Sequence, residues 1–283
     1  MRWAIESGLI RVSLAPVLKT VELSTEVNLP YAEQGDPFGV PVVFLHGFLD
    51  SWHSFERVLP HLPESICAFA ITQRGHGDAS RPASGYSIAD FSADLAAFMD
   101  ALDLATAVII GHSMGSAVAQ RFAIDKPERT TGLVLIGASS TAAGTPAARS
   151  FWDTTVSKLT DPVDPALVRQ MIESTLTQPM PQEFLDTAVR EGLKVPAFVW
   201  RAAFESRWRP ESDFSAELSK IKTPTLIVWG DQDARYPRSE QEALVRAIAG
   251  ARLVTYPGAG HLLHWEEPER FSADLVTFIE NLP

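Results

Sequence analysis

Cysteine is almost absent from this chain of 283 residues: Cys67 is the only one. No intrachain disulfide can form and a thiolate metal cluster is excluded, because the first needs two cysteines in one chain and the second several. Cys67 stands in the apolar run Ser65-Ile66-Cys67-Ala68-Phe69-Ala70-Ile71, where a small buried hydrophobe is expected rather than a reactive thiol. Basic residues are also in short supply. The 24 Lys and Arg against 35 Asp and Glu leave a net charge of −11, and no Lys/Arg cluster offsets it. Such a surface repels nucleic acid and anionic membranes, so neither is an expected partner. Long apolar runs are missing too. Glu6, Arg11 and Lys19 interrupt the N-terminal apolar residues, so no secretory h-region forms, and nowhere do about 18 apolar residues follow one another. A soluble cytoplasmic protein, monomer or homodimer, is the expectation. No internal repeat or low-complexity tract is present.

What the chain does have is apolar material, 46% of its residues against 21% charged, enough for the core of one large α/β domain. Short β-branched runs alternate with longer helix-like stretches, the pattern of parallel strands joined by crossover helices. The runs are Val40–Leu45, Ile66–Ile71, Ala107–Ile110, Gly132–Ile136, Thr225–Trp229 and Arg252–Tyr256. Each reads as apolar on both faces, as a strand covered by helices on both sides should. Polar and glycine-rich residues gather just after them, where open α/β sheets place their chemistry. Helical period predicts helices over Ser87–Leu102, Ser239–Ala249 and Glu269–Leu282. Residues 140–220 lack a clear strand and hold helix-like pieces broken by Pro162, Pro165, Pro179, Pro181, Pro196 and Pro210. They predict a helical cap inserted into a core of 1–139 and 221–283. Residues 1–20 carry no assignable pattern; an extra strand and a loosely packed arm are both open.

The chemistry centres on Gly111-His112-Ser113-Met114-Gly115, which follows one of the strand runs and leads into the helix-like Ala117–Phe122. G-x-S-x-G between a strand and a helix is a nucleophile elbow. The serine sits on a strained turn, glycines two residues either side remove clashing Cβ atoms, and the helix N-terminus favours negative charge. A hydroxyl needs a base. The chain order Ser…Asp…His directs the search to the C-terminal region, where His261 follows Gly258-Ala259-Gly260; His264, deeper beside Trp265, is the competitor. The remaining histidines read as structural: His46 orders the Gly47-Phe48 turn, His76 braces a loop, His112 points away from the nucleophile, and His53 and His61 lie on the surface. A carboxylate must hold the imidazole in one tautomer. Asp233, at the tip of the Gly230–Pro237 loop, is favoured over Asp231, which is placed to close the turn. The oxyanion hole needs two backbone donors, expected from the N–H groups of Met114 and Phe48.

These residues resemble the α/β-hydrolases, and within them the branch of esterases, haloperoxidase-like enzymes and carbon–carbon bond hydrolases. The resemblance covers roughly residues 25 to 283. It rests on His46-Gly47-Phe48, Arg74-Gly75-His76-Gly77-Asp78, the Ser113 elbow, Trp229-Gly230-x-x-Asp233-x-x-x-Pro237 and Gly260-His261. It implies an α/β-hydrolase fold with an eight-stranded, mostly parallel sheet, a helical cap after the sixth strand, and neither cofactor nor metal. The family often carries a second glycine after the elbow, where this chain has Ser116. Dehalogenases and epoxide hydrolases of the fold use an aspartate at the elbow, so Ser113 argues against both.

The expected activity is hydrolysis of a carboxylic ester or lactone, a small-molecule substrate, through Ser113, His261 and Asp233. A carbon–carbon bond hydrolase of vinylogous diketones and a haloperoxidase-like perhydrolase are the alternatives; a hydrolase-fold ligand receptor is a remote one. The aromatic-rich cap offers Trp152, Trp200 and Phe204 as candidates for lining the substrate pocket. Arg201, Arg207 and Arg209 interleave with these aromatics and read as a solvated helix face.

Overall fold

The computed structural model describes residues 15–283; of the unassigned N-terminal stretch, the part before Ala15 lies outside the described residues. Eight strands form one sheet: β1 (Val17–Glu22), β2 (Asn28–Gln34), β3 (Val40–Leu45), β4 (Ile66–Ile71), β5 (Ala107–His112), β6 (Thr130–Ile136), β7 (Thr225–Gly230) and β8 (Arg252–Tyr256). Their order is β1-β2-β4-β3-β5-β6-β7-β8. β1 and β2 are antiparallel to their neighbours and every other pairing is parallel.

Side chains of the central strands alternate between two separate cores, because successive residues of a strand point to opposite faces. Val43, Ile109, Leu135 and Ile227 belong to one core; Phe44, Ile110, Val134 and Val228 belong to the other. This is why the runs look apolar throughout. β8 departs from that expectation: it forms the sheet edge, Arg252 is exposed and Leu253 to Thr255 are half-buried.

The first core is covered by α1 (Ile88–Ala101) and α2 (Met114–Asp125), the second by α9 (Pro268–Glu280). Ser87 starts α1 through a reciprocal capping box with Asp90, which satisfies two end donors at once. α9 begins with Pro268 and buries Phe271, Leu275, Phe278 and Ile279 at helical spacing. Between β6 and β7 the chain forms four helices, α3 (Pro146–Thr154), α4 (Pro165–Glu173), α5 (Gln182–Leu193) and α6 (Ala197–Ser206). The last piece of this insertion, a 3-10 segment over Ser215–Lys220, packs on α2 under the sheet. After β7 come α7 (Arg238–Ala247) and a short α8 (Leu263–Glu266). No helix among the described residues is long and apolar enough to cross a membrane.

Candidate active site

β5 runs directly into α2 through Ser113, whose backbone sits at φ 52° and ψ −112°. A side-chain-bearing residue with positive φ and this ψ is strained, and it persists only where its surroundings hold it. Those surroundings are backbone. A Cβ on Gly111 would lie 2.2 Å from the Gly115 carbonyl oxygen, and one on Gly115 would lie 2.2 Å from the Leu45 carbonyl oxygen. Only glycine fits either position. The Ser113 N–H donates to Ile136 O at 3.0 Å, and the Ser116 hydroxyl donates to Ser113 O at 2.6 Å. Ser116 therefore ties down the elbow from the first turn of α2. The Ser113 side chain makes no capping bond to the helix, leaving its Oγ toward the cavity. Among the described residues, no acceptor answers the N–H of Met114 or of Phe48.

His261 lies in the loop after β8 and is 4% exposed. Its Nδ1 stands 2.8 Å from Asp233 Oδ2. The other carboxylate oxygen of Asp233 accepts from the N–H of Arg235 at 2.7 Å and of Tyr236 at 3.0 Å, so the carboxylate has one orientation and the imidazole one tautomer, with Nδ1 carrying the proton. The main chain of His261 is held as well: its N–H donates to Thr175 O, and its carbonyl accepts from His112 Nε2, each at 3.1 Å. Asp231 does something else. Exposed, it accepts from the Gly258 N–H at 2.8 Å, a bond that also lowers its pKa, and so closes the turn beside the histidine loop.

The other histidines sort by their partners. His46 Nε2 accepts from the Gln73 N–H while its Nδ1 donates to Gly47 O, which fixes the turn leading to Phe48. His76 Nδ1 donates to Arg74 O. His264 contacts Ser54 Oγ at 3.1 Å, fully buried and away from the cavity. His112 lies between the rings of His261 and His264, at centroid distances of 4.8 and 4.6 Å.

Burial pushes all four of these histidines below the ordinary imidazole value, His76 to about 4 and His264 to about 3. The fold holds them neutral, whereas the unfolded chain protonates them below about pH 6.5. Their contribution to stability is therefore present above that pH and lost as pH falls. Buried Asp50 opposes them. Its carboxyl is raised from 3.8 to about 7 by burial, so the stability it contributes is present at low pH and lost as pH rises toward 7. Four groups outweigh one. Calorimetry at pH 7.5 and pH 5 should show Tm lower by about 5–10 °C at pH 5; an equal or higher Tm at pH 5 would contradict the neutral-histidine assignment.

Ser113, His261, Met114 and Phe48 all line one cavity of about 300 Å³. Of the three aromatics expected there, only Phe204 reaches it. Trp200 is fully buried: its Nε1 donates to Val195 O, and its ring packs edge-on against Phe48 at 5.2 Å. It supports the wall from behind. Trp152 shares α3 with Phe151, but consecutive helical residues point about 100° apart, and it is Phe151 that lines the cavity while Trp152 stays outside. The sequence reading missed Met171, Ile172 and Thr175 at the end of α4, and Tyr236, whose ring lies 5.6 Å from that of His261. The proximity of Tyr236 to Asp233 in the chain was the only available signal. Among the described residues no group of acidic, histidine or cysteine side chains has the arrangement of a metal site.

A mostly parallel sheet carrying a strained strand-to-helix serine turn, with a His–Asp pair on loops at the same C-terminal end of the strands, defines an α/β-hydrolase architecture. The family model described as alpha/beta hydrolase fold matches residues 40–268, and the chain belongs to that family. It is 29% identical to the non-heme chloroperoxidase of Streptomyces lividans, over 93% of this chain and 99% of the relative. It is 28% identical to the 2-hydroxy-6-oxononadienedioate/2-hydroxy-6-oxononatrienedioate hydrolase of Paraburkholderia xenovorans, over 96% of this chain and 98% of that one. The solved structure of Est816, an N-acyl homoserine lactone degrading enzyme, matches with a TM-score of 0.77 at 26% identity, covering 92% of this chain and 100% of the other.

Proposed function

We propose that the protein is a serine hydrolase of carboxylic esters or lactones, acting through Ser113, His261 and Asp233. The observation that carries this reading is the His261 Nδ1–Asp233 Oδ2 bond of 2.8 Å, made on loops that share one cavity with the Ser113 elbow. With Nδ1 protonated, Nε2 of His261 is the free base. Ser113 Oγ attacks the substrate carbonyl carbon while Nε2 takes its proton, and Asp233 stabilises the imidazolium that forms. The N–H groups of Met114 and Phe48 receive the developing oxyanion. The tetrahedral intermediate collapses as His261 returns the proton to the leaving alkoxide; water activated by the same nitrogen then releases the acid from Ser113. The helical segment 140–220 acts as a cap subdomain on a core of 1–139 and 221–283 and shapes the acyl or alcohol pocket with Phe151 and Phe204.

A panel of p-nitrophenyl esters of increasing acyl length, lactones and a dienol diketone, run on wild type and Ser113→Ala, tests this. Turnover of esters or lactones by wild type alone is expected. Serine-dependent turnover confined to the diketone would move the assignment to carbon–carbon bond cleavage. No serine-dependent turnover of any compound would overturn the hydrolase reading.

A further inference from the structure

We propose that the cavity contains a carboxylate subsite at Arg207, so that the substrate is an ester or lactone bearing an anionic group away from its reacting carbonyl. The inference rests on the hydrolase reading above and names its substrate class. Arg207 ends α6: its N–H donates to Phe204 O, and its carbonyl accepts from the Gly144 N–H at 3.0 Å. Both bonds fix its backbone, and the side chain enters the wall of the cavity that holds Ser113. The guanidinium carbon lies 6.0 Å from the centre of the Phe204 ring.

No carbonyl or carboxylate among the described residues accepts from the guanidinium, and its Nε is fully buried without a partner. Of the other arginines of the region, Arg209 is exposed to solvent, and Arg201 and Arg149 are engaged elsewhere. Arg201 donates to Leu159 O at 2.5 Å, and Arg149 lies over the Trp208 ring at 5.1 Å. Arg235, the second cation of the wall, donates to Ser174 Oγ at 3.1 Å. Among the described residues Asp50 is the only carboxylate in the wall, and its Oδ1 is engaged by the Ser51 N–H at 2.8 Å. A buried donor left without a partner is unfavourable, and most buried polar groups have one. That Nε has no accessible surface of its own; the donors an occupant of the cavity can meet are Nη1 and Nη2 of the same guanidinium, which likewise have no protein acceptor among the described residues. The planar guanidinium fork suits a carboxylate in particular. Thr145 supplies a second donor from the same end of the cavity. Its Oγ1 accepts from the Ala148 N–H at 3.1 Å, which leaves its own hydrogen to give. The neighbouring hydroxyls of Ser206 and Ser212 are already spent on Ala203 O and Ser206 O.

The test uses two pairs of esters differing only in charge: p-nitrophenyl hydrogen adipate against its methyl ester, with the anion on the acyl side, and 4-acetoxybenzoate against methyl 4-acetoxybenzoate, with the anion on the leaving side. In wild type, kcat/KM favours the anionic member of at least one pair. Arg207→Met lowers that preference by about 10- to 100-fold, the worth of a charge-assisted hydrogen bond, and Arg207→Lys restores part of it. If Arg207→Met leaves the preference of both pairs unchanged, the subsite does not exist. Binding of adipate to Ser113→Ala, measured by calorimetry with and without Arg207→Met, reads the subsite without turnover. Loss of turnover with adipate binding retained would thus overturn the hydrolase reading alone. Absence of Arg207-dependent binding beside active ester hydrolysis would overturn the subsite alone.

Discussion

Replacing Ser113 by alanine lowers kcat for the best p-nitrophenyl ester by about 10⁶-fold, to the residual rate that oxyanion donors and binding supply without a nucleophile. Such a loss identifies the nucleophile only if the fold survives, and the structure gives reason to expect that it does. The Ser113 side chain makes no capping bond to α2. The strained turn is held by close backbone packing at Gly111 and Gly115 and by the Ser113 N–H to Ile136 O bond. Alanine keeps all of these. Thermal unfolding of the variant should shift by no more than about 0.5 kcal/mol. A variant that melts normally and still hydrolyses the ester within 10-fold of wild type, with about 10⁶ expected, would remove Ser113 from the chemistry.

The second large effect separates two aspartates of one loop. Asp233→Asn lowers kcat by about 10⁴-fold, because an amide placed against His261 Nδ1 presents an N–H and forces the imidazole into the tautomer with a protonated Nε2. The carboxamide oxygen can still accept from the N–H groups of Arg235 and Tyr236, which donate to one oxygen of Asp233 in the wild type, so the loop keeps its shape. Asp231→Asn costs less than about 10-fold, since its amide oxygen can accept from the Gly258 N–H as the carboxylate does. Steady-state kinetics on both variants, with unfolding curves to match, decides the matter. A larger loss at Asp231 than at Asp233 in folded proteins would move the acid to Asp231.

The inner strands β3 to β7 were legible because each carries an apolar run, and parallel strands covered by helices have no solvent face to vary; β8, at the sheet edge and half-buried, was legible from its β-branched residues and the turn after it. β1 and β2 were not legible. β1 is an edge strand whose residues are mostly exposed, and β2 alternates buried and half-exposed positions around Pro30, so neither shows the apolar signature. The residues of the site divide in the same way. Ser113 and His261 belong to turns whose glycines and flanking strands announce them locally. The His261–Asp233 contact joins residues 28 positions apart, which a motif can suggest but only the sheet brings about. Trp200 and Trp152 show the limit for the helices between β6 and β7: their size and apolarity suit a pocket wall and a buried support equally well, and the packing of α3 and α6 decides between them. Arg207 is the reverse case. In the sequence it is one of three interleaved arginines, and only the cavity distinguishes it from Arg201 and Arg209.

The most direct test of the central claim is covalent labelling with a p-nitrophenyl alkylphosphonate, followed by mass measurement of the protein and its peptides. The account predicts release of one p-nitrophenol per chain, a single adduct on the peptide carrying Ser113, and no adduct in Ser113→Ala. An adduct on another residue, or labelling of Ser113→Ala at the wild-type rate, would contradict it.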